Sequence, residues 1–519
     1  MPFLVRAYNR LLVAINPRNW YWWGFAAIMI RLILVFSRYT QEFEPDLCIG
    51  KYRYDYYDYI CPVENFLSHG RWFPDLRLPG YSLIYLLFRI FLPMKSAIYS
   101  MFIFQTLIGG IASYMLARSI YEISRNKYFF LASFLFIVLN KYMYMYDGFT
   151  LTDSISQNFI AISVYFFCNF LIKNKISHLF YSGIFLGYSA FMRPANVFAF
   201  PLSIIAIYVI SRRNLSDLFK KLVTFMSFYF VMISLFILVY YANTGRIFRI
   251  NLQQPFEHSY ARKILIVHGS MCLPNMKISI IPGIFGEKCS EMYMFGALGD
   301  TIVEKDSVLY LAASGLQLRV NRDCLPGLRD SENLLRGYFM RCIHTSKFNV
   351  DSLVKLRVIL HKMALATGKE FDRLRNEADA KLELYLQSVK DEYPLYYYFI
   401  SKVKSFTYLI INGHLISPGH SRVGQLLAMA ILLLLYKIPV CLYFVLFPVV
   451  TLLSLIRNDI NMSVLMLLTL SGPLIVLSYI VVSLPQVRYM MSAYPYIFLG
   501  VAIELWYIGQ VIRKKGVVI

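Results

Sequence analysis

Apolar residues run for about twenty positions at a time along much of this chain, separated by short polar punctuation. Runs at 20–37, 97–117, 128–146, 155–172, 179–192, 195–211, 222–242, 463–483 and 490–511 predict helices, and the block 423–456 predicts one or two more. A bilayer core needs roughly 20 apolar residues in a helix to cross it. Inside lipid each backbone N–H must find its partner within its own segment, which makes helix the structure for such runs. The pattern predicts an all-α polytopic membrane protein, with about 10–12 transmembrane helices at this span length. Two long segments interrupt it, 38–96 and 243–421. Neither is of low complexity, so both are expected to be structured. The second contains Gly368–Glu392, where Phe371, Leu374, Leu382, Tyr385, Leu386 and Val389 recur among charges, as in an amphipathic helix. The organisation expected is an N-terminal membrane module (1–242) that includes the loop 38–96, a loop region (243–421) and C-terminal membrane helices (422–519).

The punctuation carries orientation. Arg118, Arg125 and Lys127 follow the second run, Lys173 and Lys175 the fourth, Arg212, Arg213, Lys220 and Lys221 the sixth, and Arg513, Lys514 and Lys515 the last. The short loop from Asp147 to Ser154 holds two acids and no base. Basic residues collect on the cytoplasmic side, so the N-terminus is expected there and both long loops outside. An odd number of crossings in 423–456 keeps the C-terminal bases inside. The first apolar run is too long for a signal-peptide core and lacks a small-residue cleavage site, which predicts an uncleaved span.

Composition agrees. Charged residues are 16% and the AVILMFWYC set 58%, against about 25% charged in ordinary soluble domains. That excludes a disordered chain, a coiled coil and a typical soluble enzyme. The formal charge of +22 suits loops beside anionic lipid, and no nucleic-acid-binding motif accompanies it. The 41 Phe and 41 Tyr suit lipid and its interfaces. Six of the eight cysteines, Cys48, Cys61, Cys272, Cys289, Cys324 and Cys342, fall in the two long loops. An even number outside is expected to form disulfides, with unpaired buried thiols the alternative. Neither a zinc-hydrolase histidine spacing, nor a P-loop, nor a dinucleotide-binding glycine pattern is present.

The first long loop is dense in polar and aromatic residues: Asp55-Tyr56-Tyr57-Asp58-Tyr59, Asn65 to Gly70, and Asp75-Leu76-Arg77-Leu78-Pro79-Gly80-Tyr81. Later come Leu151-Thr152-Asp153, then Gly187 through Met192-Arg193-Pro194, then Val487-Arg488-Tyr489 with Tyr494-Pro495. This series resembles the GT-C superfamily of membrane glycosyltransferases, in the polyprenyl- or dolichyl-phosphate-mannose manner of family 39. Asp55, Tyr59, Asn65, Gly70, Arg77, Pro79, Gly80 and Tyr81 fall in register with that family's first outer loop. Asp153 stands where the family has Glu. The matched stretches cover about a fifth of the chain, and the second long loop adds only Tyr393-Pro394-Leu395-Tyr396-Tyr397.

The resemblance implies a GT-C fold and transfer of a sugar from a polyprenyl-phosphate donor to a lipid, glycan or protein acceptor on the outer face, with inversion. It also implies a bacterial inner membrane as the setting. Asp55 is the expected general base; spacing alone does not separate it from Asp58. Tyr59, Arg77, Tyr81, Asp153, Arg193, Arg488 and Tyr489 are expected at the substrates. A positioned carboxylate takes the acceptor proton, and arginines stabilise the charge gained by the departing phosphate. Those arginines make a metal dispensable, so none is expected, although some GT-C enzymes use a divalent ion. Other readings of the same residues stay open: a helix cap or a metal for Asp153, a turn anchor for Arg77, and snorkelling to headgroups for Arg193. Arg31, inside the first span, is expected to snorkel. Glu504, in the last span, is expected to be interfacial or paired. The rival function is a transporter or flippase of lipid-linked sugars, though the internal symmetry many transporters show is not visible.

Overall fold

The computed structural model describes residues 16–39, 53–70, 78–212, 214–244, 302–305, 308–313, 316–319, 343–365, 368–403, 406–407, 434, 438–482 and 487–514 of the chain. Its helices, in order, are α1 (Trp20–Tyr39), α2 (Arg53–His69), α3 (Gly80–Arg89), α4 (Met94–Ser124), α5 (Lys127–Leu139), α6 (Lys141–Tyr144), α7 (Thr152–Lys173), α8 (Ile176–Met192), α9 (Ala199–Ser211), α10 (Leu215–Thr244), α11 (Val350–Leu365), α12 (Gly368–Glu392), α13 (Ile438–Ile456), α14 (Ile460–Thr469), α15 (Ser471–Val482) and α16 (Tyr494–Lys514). The chain divides into two compact units. Met1–Arg249, Ile431–Val476 and Arg488–Ile519 form one; Ile250–Ala430 and Leu477–Val487 form the other.

The first unit is a bundle. Among the described residues seven helices are long and apolar enough to cross a bilayer: Met94–Ser124, Thr152–Lys173, Pro194–Ser211, Leu215–Ala242, Ile438–Ile456, Ile460–Ser478 and Met490–Arg513. Trp20–Phe36 and Lys127–Leu139 are shorter apolar helices. The chain is a polytopic helical membrane protein. The block 423–456 contributes one such helix, α13; most of 423–437 lies outside the described residues.

Local chemistry sets the helix ends. Asn126 caps α5, its side chain accepting from the N–H groups of Tyr128 (2.9 Å) and Phe129 (3.1 Å). Arg125 and Asn174 end α4 and α7 in the left-handed conformation, with φ of 55° and 50°. Two runs that read as single helices are broken. Asn140 ends α5 and caps the next turn, accepting from Tyr142 N at 3.0 Å. Pro473 has no N–H to give the carbonyl of Thr469, and the span Ile460–Ser478 is interrupted at Leu470, between α14 and α15.

α7 is the central helix: 78% of its most apolar window is buried, against 22% for α10. It packs between α4 and α8, and α8 packs on α10. Small and hydroxylated residues allow this. Ser156 and Ser189 meet at 3.0 Å across α7 and α8, and Ser163 and Ser182 at 2.9 Å. A Cβ at Gly183 would overlap the Phe225 backbone of α10, and one at Gly187 would press on Tyr229. Close approach through small residues drives helix association where lipid offers no hydrophobic gain.

The loop expected over 38–96 is partly helical, holding α2 and α3. Pro62 and polar residues in α2 hid it from an apolar-run reading. A polar clasp joins the two helices: Glu64 accepts from Arg89 Nε (2.8 Å), Arg89 Nη2 (3.1 Å) and the Tyr85 hydroxyl (2.7 Å).

In the second unit Ile302–Lys305, Val308–Ala313 and Leu316–Arg319 form an antiparallel three-stranded meander, the described residues' one sheet. The amphipathic reading of Gly368–Glu392 describes α12 from Leu374 to Val389; the Phe371 side chain lies outside the described residues. Leu374, Ala378, Leu382, Tyr385, Leu386 and Val389 form a buried stripe, and α12 packs on α11. Cys168 is buried and Cys441 exposed, both unpaired. The side chains of the six loop cysteines lie outside the described residues.

Candidate active site

The first turn of α7 is where the predicted residues meet. Leu151 occupies the cap position in extended conformation, and no side chain caps the helix. Asp153 is therefore not a cap; its carboxylate instead forms an ion pair with Arg193, the residue that follows α8. Both are buried, at 2% and 7% exposure, so Arg193 does not snorkel to headgroups. The helix N-terminus adds a favourable field for the Asp153 charge.

The residues on either side of Asp153 are held by other elements. The Thr152 hydroxyl lies 3.3 Å from the Tyr59 hydroxyl of α2. The Ser154 hydroxyl donates to Asp147 Oδ1 at 2.6 Å. Three consecutive residues thus answer to three partners: α2, the end of α8, and the turn after α6.

Tyr59 is fixed in turn by α3. Ser82 Oγ donates to the Tyr59 carbonyl at 2.7 Å, and the Tyr59 and Tyr81 rings lie 5.2 Å apart. Tyr81 is fully buried, and its hydroxyl has no hydrogen-bond partner among the described residues. Burial, and secondarily Tyr59, push its phenol pKa up. The Pro79-Gly80-Tyr81 turn abuts the end of α8. The Tyr188 hydroxyl donates to the Gly80 carbonyl at 3.0 Å, and a Cβ on Gly80 would overlap Met192. Only glycine lets α3 begin this close to Arg193.

Tyr59, Tyr81, Asp153 and Arg193 are thus brought together from four separate stretches of sequence. Asp55 lies four residues and Asp58 one residue before Tyr59 within α2; their side chains, and all of Arg77, lie outside the described residues. Arg488 and Tyr489 sit on the tight helical turn Val487–Ala493, their side chains likewise outside. That turn leads to Tyr494, whose ring packs 5.2 Å from Tyr142, just ahead of the Asp147 turn. Among the described residues no cluster of His, Cys, Asp or Glu has the makings of a metal site.

Sequence reading missed the second ion pair. Arg31 does not snorkel: it is fully buried, with Nε 3.2 Å from Asp147 Oδ2. Its Nη1 donates to Ser113 Oγ (3.1 Å) and Asn158 Oδ1 (3.3 Å). A Cβ at Gly109 would overlap the guanidinium, so α4 makes room for it there. Burial pushes the Asp147 carboxyl up to about 6, against the opposing pull of Arg31 and the Ser154 hydroxyl. The one usable signal was a lone base inside an apolar span and two acids in a short loop without bases. Glu504 is fully buried, and its carboxylate has no hydrogen-bond partner among the described residues.

At the other end of α4, Glu122 pairs with Arg118 (3.5 Å) and Arg125 (2.6 Å), and Arg118 Nη1 donates to the Arg18 carbonyl (3.4 Å). Basic side chains thus gather at the end away from the α7 N-terminus.

Compared with protein-family models, curated proteins and solved structures, the chain matches none.

Proposed function

We propose that this chain is a membrane glycosyltransferase of GT-C type that moves a sugar from a polyprenyl-phosphate donor to a lipid, glycan or protein acceptor. The observation that carries the reading is the convergence of Asp153, Arg193, Tyr59 and Tyr81 at one end of the bundle, with Asp55 and Asp58 on the helix that supplies Tyr59. Asp55 and Asp58 stand four residues and one residue before Tyr59 on α2, and the resemblance favours Asp55 of the two.

In this reading Asp55 takes the proton of the acceptor hydroxyl. The acceptor oxygen forms its bond to the anomeric carbon as the bond from that carbon to the phosphate oxygen breaks. The electron pair leaves with the polyprenyl phosphate, which gains one negative charge. Arg193, joined by Arg77 and Arg488, stabilises that charge; guanidinium stays protonated and binds phosphate oxygens in pairs. Asp153 holds the Arg193 guanidinium in place until a phosphate oxygen shares it. A single displacement inverts the anomeric centre. The basic end of the bundle faces the cytoplasm by the positive-inside rule, which puts the site on the outer face.

The test uses purified protein in nanodiscs with a radiolabelled polyprenyl-phosphate sugar and membrane lipid extract as acceptor. Wild type transfers label and Asp55→Asn does not, while both melt at the same temperature. Full transfer by Asp55→Asn removes Asp55 as the base. The buried Arg31–Asp147 pair favours a second reading, since charges inside a bundle also mark transport paths. A transporter would move a fluorescent lipid-linked sugar across a liposome bilayer and leave its glycosidic bond intact.

A further inference from the structure

Arg31 and Asp147 lie outside the group of residues that would touch substrate, yet they are tied to it by a closed ring of polar contacts. Arg31 Nε faces Asp147 Oδ2 at 3.2 Å. Asp147 Oδ1 accepts from Ser154 Oγ at 2.6 Å. Asn158 Nδ2 donates to Ser154 Oγ at 3.3 Å, and Asn158 Oδ1 accepts from Arg31 Nη1 at 3.3 Å. The four side chains are at most 2% exposed. They come from α1, the turn after α6, and the first two turns of α7. Gln105 of α4 braces the same turn from behind, donating to the carbonyls of Asp147 (2.8 Å) and Phe149 (3.1 Å).

We infer that Arg31 and Asp147 are positioning residues, which hold the first turn of α7 so that Asp153 and Arg193 meet the donor phosphate in register. This rests on the glycosyltransferase reading for what the turn presents, but not for the mechanical claim. The physical case is the cost of the arrangement. A buried ion pair is weak evidence for stability, because well-packed apolar residues of similar size often do as well or better. This pair also requires a glycine at 109 to admit the guanidinium. What the ring supplies is direction. A carboxylate with one oxygen on Arg31 and the other on Ser154 fixes the separation between the α6 turn and the α7 backbone, which apolar packing would leave free to slide. The adjacent residue is Asp153. An ångström of drift at a reacting centre costs on the order of 100-fold in rate.

The test compares wild type with Arg31→Met/Asp147→Leu, which removes both charges and leaves neither alone, and with Arg31→Lys, which keeps the charge but not the fork. Two readouts are taken on full-length protein in nanodiscs. Hydrogen–deuterium exchange, needing no substrate, is expected to show the amides of 150–156 exchanging faster in the double variant while 160–173 and α10 keep their protection. In the transfer assay the double variant is expected to lose kcat roughly 10- to 100-fold with the donor KM within a few-fold of wild type. Arg31→Lys is expected to restore part of kcat. Unchanged exchange at 150–156, or loss of protection across the whole bundle, overturns the positioning role. So does wild-type kcat in the double variant. Absence of transfer in the wild type itself fails the glycosyltransferase reading and leaves the exchange result to decide the mechanical claim.

Discussion

Arg193, at the end of α8, and Asp153, in the first turn of α7, form a buried ion pair across 40 residues of sequence. It joins two helices that also meet through serine hydroxyls and through the Phe159 ring against Phe185 and Tyr188. Asn196 Nδ2 donates to Ser156 Oγ at 2.6 Å and to Ser189 Oγ at 2.8 Å, one turn below the pair.

Breaking that pair from one side should cost more than removing it. Asp153→Leu or Arg193→Met leaves a buried charge without its partner, worth about 3–5 kcal/mol. The combined variant should recover much of that loss. Thermal melts of the four proteins in one detergent check this; a double variant less stable than both singles contradicts it.

Helix contacts at α1 and α4 predict an asymmetry among glycines. Gly109→Ala meets the Arg31 guanidinium and Gly110→Ala the Ile28 backbone, whereas a Cβ at Gly24 meets nothing within 4 Å. Overpacking costs typically about 1–3 kcal/mol, so the first two variants should melt lower. Gly24→Ala should be neutral or stabilising by up to about 1 kcal/mol, the propensity gain of Ala in a helix. Melting temperatures in the same buffer decide it.

Asp147 gives a pH dependence with a definite sign. Its folded pKa is raised to about 6, above about 3.9 for an unfolded aspartate. Between these values the folded protein holds a proton that the unfolded chain has released. Its contribution to stability is therefore present in full below pH 4, falls as pH rises, and is gone above pH 6. At about 1.4 kcal/mol per pKa unit this amounts to roughly 3 kcal/mol. Denaturation midpoints from pH 4 to 7 should show a fall in wild type that Asp147→Asn flattens. An equal slope in both proteins assigns it elsewhere.

Arg488→Ala should weaken donor use while leaving the acceptor unaffected, because a guanidinium on a phosphate acts on the donor alone. Initial rates with donor and acceptor varied separately provide the measurement. Wild-type donor KM and kcat together would remove Arg488 from the site.

The spans were legible because lipid imposes its length on the sequence; nine apolar runs of 14 to 22 residues and the block at 423–456 mark the bundle. Their interruptions at Asn140 and at Leu470, shortly before Pro473, were visible only in hindsight, since one polar residue or one proline barely changes a run's average. α2 was hidden for the opposite reason. Its buried face is Tyr59, Ile60, Pro62 and Val63 amid charges, and its hold on α3 depends on Glu64 and Arg89, 25 residues apart. Of the site, Tyr59, Tyr81, Asp153 and Arg193 could be named from short motifs. Which of them pair with which, and the role of Arg31, could not, because pairing is decided by packing. A lone arginine in a span reads as snorkelling until the acid that meets it is placed.

The first turn of α7 has a consequence for how this protein can change over evolutionary time. Thr152, Asp153 and Ser154 are neighbours in sequence, yet each is committed to a different correspondent: Tyr59, Arg193 and Asp147. Drift at any one of the three removes a contact made by a residue elsewhere in the molecule. In sequences that share this fold, three couples should therefore mutate in concert, 59 with 152, 193 with 153, and 147 with 154, while the residues within the tripeptide vary independently of each other.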